Sequence, residues 1–227
     1  MRGGRAGRNG RSGASSGARQ PATRRRQAGA TAPSPETHAA TAALLHALTR
    51  GDFPAATAAL DILVVAEPDN AALHYNHALA LRLSGRPGDG FAAARRAREL
   101  DPANVKALFE ICACGLEAGE PQASFDAGTA YLASHPGDPD AALNTARAAL
   151  LLDRQADALE ILSEIAAGAL SDGHHLCRGE ALRDLGRFDE AERAWASVDP
   201  AHAGIVLSLR SKGARGRLAL NPRSSPS

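Results

Sequence analysis

Four groups of residues carry side chains that perform chemistry in other settings, and each falls short on its surroundings. His174, His175 and Cys177 pair imidazole with thiol, and His174 and Cys177, three apart, share one face of a helix. A structural zinc needs four ligands, and nothing nearby completes the set, so no metal is expected. Cys112 and Cys114 form a C-x-C whose side chains point to different faces of a helix. With Cys177 they make an odd count of three, which argues against a disulfide framework. The run from Ser84 to Gly90 holds three glycines and a proline, but no strand precedes it and no lysine follows, as a phosphate loop requires. Asp189 and Glu190 are paired carboxylates in a turn rather than a cleft. The expectation is no catalytic residue, no cofactor and no small-molecule substrate.

Charge is segregated along the chain. The net charge is +1, yet residues 1–35 hold eight arginines and no acid, and residues 208–227 hold five basic residues and no acid. Residues 36–207 hold 13 basic against 25 acidic residues, so the body is acidic between two basic tails. Arg24, Arg25 and Arg26 have the charge for phosphate contacts. No aromatic residues interleave them to stack on bases, and the acidic body competes for them, so nucleic acid is not an expected partner. Gly, Ser, Ala and Arg leave residues 1–35 and 211–227 with little to bury, and disordered basic tails are expected there. No apolar segment follows the first arginines, as a signal peptide would show, and no apolar run approaches a membrane span. These features lead to the expectation of a cytoplasmic protein that does not engage a membrane.

The element that organises the rest is a helix–turn–helix unit over residues 71–102. An apolar helical pattern leads to a polar turn at Ser84, Gly85 and Arg86, and a second amphipathic run ends in Asp101 and Pro102. Prolines 68, 102 and 136 repeat the terminator at intervals of 34 residues. A fixed period of this length marks a repeat architecture. About five units follow, at 37–70, 71–104, 105–138, 139–171 and 172–200, within an all-α body of 36–210 that ends in a short closing helix. Alanine abundance and 4% aromatic content suit closely packed helix pairs better than a thick globular core.

The spacing is supported residue by residue. The first unit carries Gly51, Asp52, Phe53, Ala56, Leu60, Leu63 and Pro68; the second Ala78, Leu81, Gly85, Ala94, Ala97 and Pro102. The third carries Leu108, Ile111, Cys112, Gly119, Tyr131 and Pro136, and the fourth Ala142, Ala146, Ala149, Ala158, Leu162 and Ile165. The fifth has Gly179 and Leu182, the run from Leu185 to Ala191, and Trp195. This pattern resembles the tetratricopeptide repeat family. Gly90 and Ser124 depart from it where a packed alanine belongs, and Arg178 occupies a usually apolar site.

The resemblance implies an α-solenoid of antiparallel helix pairs forming a right-handed superhelix, with the first helix of each pair lining a concave groove. Carried onto this sequence, it implies a partner-binding lining that includes Leu45, Tyr75, Leu79, Arg82, Lys106, Phe109, Leu116, Leu143, Arg147, Leu150 and Arg183. The function implied is a non-enzymatic scaffold holding a protein or peptide segment. The clamp that some family members use on a C-terminal carboxylate is not implied, because Thr41, Leu45 and Glu110 occupy three of its five positions. Similar arrays also precede the catalytic domains of bacterial sulfotransferases and glycosyltransferases, so the alternative is a regulatory or truncated module of such a transferase.

Overall fold

The computed structural model describes residues 34–211, so the tails expected at 1–35 and 211–227 lie almost wholly outside the described residues. Among the described residues the chain is all-α, an α-solenoid of antiparallel helix pairs. The pairs are α1 (Pro35–Arg50) with α2 (Phe53–Ala66), α3 (Ala71–Leu83) with α4 (Pro87–Leu100), and α5 (Val105–Ala118) with α6 (Pro121–Leu132). They continue with α7 (Pro139–Leu151) and α8 (Gln155–Ser163), then α9 (Asp172–Asp184) and α10 (Phe188–Trp195). A single helix, α11 (Ala203–Ser211), follows.

The period of the sequence is visible in the backbone. Within each pair one residue adopts the left-handed conformation: Gly51, Gly85, Gly119, Asp153 and Gly186, with φ of 66°, 81°, 81°, 58° and 75°. The next residue's N–H donates to the carbonyl five positions before it, from Asp52 to Ala47, Arg86 to Leu81, Glu120 to Gly115, Arg154 to Ala149 and Arg187 to Leu182. This closure satisfies a carbonyl that the ending helix would otherwise orphan. Glycine takes the left-handed position without strain at four sites, and aspartate, among the more tolerant non-glycine residues, takes it at the fifth.

The first helix of each pair starts on a polar side chain. Ser34, Asn70, Asn104 and Asp138 accept from backbone N–H groups in the first turns of α1, α3, α5 and α7. At α9 the Ser171 N–H donates to Nδ1 of His174 (3.1 Å), whose Nε2 then donates to the carbonyl of Pro139 (2.9 Å). That bond fastens α9 to the start of α7, and the pair of contacts assigns the donor role to Nε2. Pro87 and Pro121 open α4 and α6, where the missing N–H costs nothing.

Small buried residues set the closeness of the pairs. Ala56, Gly90, Ser124, Ala158 and Ala191 recur at one position near the start of the second helix of each pair, and all are buried. A Cβ on Gly90 would lie 3.0 Å from both the Ala78 carbonyl oxygen and Cys114 Sγ, so the larger cysteine takes the space an alanine would fill. Ser124 fits because its hydroxyl donates to the Cys112 carbonyl at 2.7 Å. Gly128 and Gly179 mark still closer approaches: a Cβ would lie 2.0 Å from Thr145 Oγ1 and 2.1 Å from Trp195 Nε1. The core is accordingly a chain of small clusters, each bridging neighbouring pairs.

Candidate functional site

The odd-numbered helices carry the positions at issue, and their exposed faces form two recesses. The first, about 360 Å³, is lined by Tyr75, Leu79 and Arg82 of α3, Lys106, Phe109 and Glu110 of α5, Tyr131 of α6, and Asp138 and Asp140 beside the start of α7. Tyr75 and Leu79 share a face as an i,i+4 pair, as do Lys106 and Glu110.

Aromatic side chains build its wall. Phe109 and Tyr131 meet edge to face at 5.5 Å, and Tyr131 stacks on His135 at 4.5 Å. The Tyr131 hydroxyl donates to Asp138 (3.0 Å), whose other carboxylate oxygen caps α7, so this ring is held rather than loose. Burial raises the Tyr131 phenol, as do the bond to Asp138 and its charge. Burial and the charge of Glu110 raise Tyr75, against the opposing effect of Arg82.

An ion pair forms the base of the recess. Arg82 Nε and Nη2 donate to the two carboxylate oxygens of Glu110 at 2.9 and 3.3 Å, and the Glu110 side chain is only 3% exposed. Arg82 is therefore already committed, with its charge matched by the neighbouring helix. Lys106 makes no ion pair or side-chain hydrogen bond among the described residues and is the cation open to a ligand here.

The second recess, about 480 Å³, joins Leu116 of α5 to Arg147, Leu150 and Leu151 of α7, with Asp153, Glu180 and Asp184 around it. Leu151 is 63% exposed. Arg147 is exposed and has no ion-pair partner among the described residues, whereas three carboxylates share the same walls.

The structure distributes the eleven expected lining residues unevenly. Tyr75, Leu79, Arg82, Lys106 and Phe109 meet in the first recess, and Leu116, Arg147 and Leu150 in the second. Leu143 packs against the core cluster around Phe125 and Ala146 and leans on Gly173. Leu45 stands outside both recesses on α1, 61% exposed. Arg183 is buried, pairs with Asp184 (2.7 Å) and Glu180 (3.4 Å), and donates to the Leu209 carbonyl. Its role is to hold α11 against α9, and it presents no cation to a ligand. Tyr131, Glu110 and Asp138 were not anticipated as lining. Tyr131 lies on a second helix, which a rule based on first helices passes over.

The three cysteines are free and buried. Burial pushes Cys114 and Cys177 up to about 12 and also raises Cys112. Cys112 sits within reach of Ser124 and Thr145, in a packing role. Among the described residues no group of three His, Cys, Asp or Glu side chains is placed to hold a metal ion.

The class of architecture is matched by known proteins. The tetratricopeptide repeat family profile matches residues 41–105 and 85–139. Residues 41–139 therefore carry repeats of that kind. No curated protein matches the sequence. Among solved structures, the chain is similar to a crystal structure of MamA protein, with 21% identity and a TM-score of 0.62 over 82% of this chain and 98% of that one. It is similar also to MamA from Desulfovibrio magneticus RS-1, with 16% identity and a TM-score of 0.64 over 78% and 97% of the two chains. At these identities the likeness extends the same repeat fold beyond residue 139 and concerns the fold alone.

Proposed function

We propose that the chain is a non-enzymatic interaction scaffold that holds a protein segment along its odd-helix face, with the first recess as the main anchor. The observation that carries this reading is the recess at Tyr75, Phe109 and Tyr131. It combines large, held aromatic surface with an unpaired cation at Lys106 and a rim carboxylate at Asp140. Such anchors, part apolar and part polar, dominate the energetics of protein recognition.

Helix packing supports the choice of face. From α3 onward each odd helix packs against the next odd helix, α3 on α5, α5 on α7 and α7 on α9, while the even helices make no comparable contacts with one another. In a curved stack the more closely spaced row is the inner one, so this asymmetry favours a concave odd face. The exposed leucines Leu45, Leu83 and Leu151 extend apolar surface along that row.

The test is a quantitative capture experiment from native lysate with the full chain and with Tyr75→Ala combined with Lys106→Ala, both shown folded by circular dichroism. A protein retained by the parent and depleted at least tenfold by the variant supports the reading. Equal retention by both removes the first recess as the anchor.

A further inference from the structure

A third recess lies between the last two helix pairs and away from the face discussed above. Three helical stripes converge on it. Leu159 and Ser163 come from α8, spaced i,i+4. His175, Arg178 and Leu182 come from α9, at i, i+3 and i+7. Arg187, Glu190, Arg193, Ala194 and Ser197 follow the same side of α10 and its exit. The volume is about 450 Å³, within the range of small-ligand pockets of about 300–1,000 Å³.

The charges here are arranged unlike those elsewhere in the acidic body. Arg187 is bound to Glu190 through two hydrogen bonds of 2.7 Å each. The side chains of Arg178, Arg193 and His175 make no hydrogen bond or ion pair among the described residues. Among the arginine and carboxylate side chains of the walls, three arginines face one carboxylate, a net charge of +2. Glu190 already feels both neighbours: the Arg187 hydrogen bonds, and then the charges of Arg187 and Arg193, hold its carboxyl below the usual range.

Arg178 is also out of keeping with its register. It is the seventh residue of α9, and the seventh residues of α5 and α7 are Ile111 and Thr145, both buried in the packing between pairs. The seventh residue of α3, His77, is polar as well but meets Asp61 at 2.9 Å, whereas Arg178 has no such partner among the described residues.

We propose that this recess is an anion site that takes a phosphate monoester. A phosphate monoester carries a charge of about −1.5 to −2 at neutral pH and three acceptor oxygens, opposite in sign to the walls and close to them in magnitude. Planar guanidinium groups from two helices can each donate a pair of hydrogen bonds to those oxygens, the geometry for which arginine is suited. The serine hydroxyls at Ser163 and Ser197 and the apolar surface of Leu159, Leu182 and Ala194 leave room for the organic part of the ester. A phosphodiester carries a single charge and leaves one arginine unmatched. The ester group can belong to a free metabolite or to a phosphorylated protein side chain.

The full chain is titrated with O-phospho-L-serine and, in a second arm, with a short peptide containing phosphoserine, at matched ionic strength, by calorimetry and thermal melting. Serine, dimethyl phosphate and the unphosphorylated peptide serve as controls. The expected result is saturable binding and a dose-dependent rise in Tm with the phosphorylated probes alone. Arg178→Gln and Arg193→Gln each weaken binding by about tenfold or more, the scale of one lost charge-assisted contact. Arg95→Gln, on α4, leaves it unchanged. Tighter binding of the peptide assigns the site to protein phosphoserine, and equal binding assigns it to a small ester. The proposal is overturned if the phosphorylated probes do not bind saturably, if dimethyl phosphate binds equally well, or if Arg193→Gln, the more exposed change, binds like the parent.

Discussion

The odd-helix face and the recess between α8 and α10 both hold arginines, but in different balance. On the odd face Arg82 is matched by Glu110 and Arg183 by Asp184, each across or beside a helix contact with little exposure, and Arg147 is exposed without an ion-pair partner among the described residues. In the α8–α10 recess Arg178 and Arg193 make no hydrogen bond or ion pair among the described residues, on walls that carry excess positive charge. A matched, buried arginine is part of the architecture, and removing its partner leaves a charge stranded in a poor solvent. An unmatched, solvated one contributes little to folding and remains available for a ligand. Position on the expected lining therefore does not make a residue a contact; the state of its charge does.

That contrast breaks most readily at Glu110. Glu110→Gln strips Arg82 of its carboxylate, and chemical denaturation should show a loss of about 2–3 kcal/mol, slightly below the roughly 3–5 kcal/mol for a fully buried pair because Arg82 keeps a solvated edge. Arg183→Gln should cost about 2 kcal/mol and should first speed amide exchange in α11, since the tie to Leu209 is lost.

The thiols sharpen the same point through pH. Cys114 lies where Glu110 and Arg82 both act on it, and burial, the larger cause, raises it to about 12 from 9.0. A thiol more basic in the folded than in the unfolded chain holds its proton longer in the fold. Its stabilising contribution is complete below pH 9 and is lost as pH rises from 9 towards 12. Native protein should therefore resist a thiol reagent at pH 8, and all three cysteines should react once it is unfolded. The smallest expected effect is Arg193→Gln, which should change stability by no more than about 0.5 kcal/mol in a denaturant titration. A large loss there would place Arg193 among the architectural arginines.

The fold was legible because the repeat is stated several times over. Glycines at 51, 85 and 119 announce the left-handed turns, and prolines 68, 102 and 136 close the units. The fourth turn was less legible, since Asp153 adopts the same conformation with an ordinary side chain. The resemblance to tetratricopeptide repeats named Tyr75, Phe109 and Lys106 as lining, and these three meet in one recess. Pairing was not readable. Arg82 and Glu110 are 28 residues apart, and only the packing of α3 on α5 brings them together. Arg183 and Asp184 are adjacent in sequence, a spacing that does not normally bring two helical side chains face to face. Tyr131 reaches the recess from the end of a second helix, and the tie from Arg183 to Leu209 requires α11 to fold back on α9.

Amide hydrogen exchange on the full chain, with and without its captured protein partner, tests the odd face most directly, because it reads every helix at once. The expected result is added protection along α3 and α5, centred on Tyr75 and Phe109, with α4 and α10 unchanged. Protection confined to α8 and α10, with α3 and α5 exchanging as in the free chain, would contradict it.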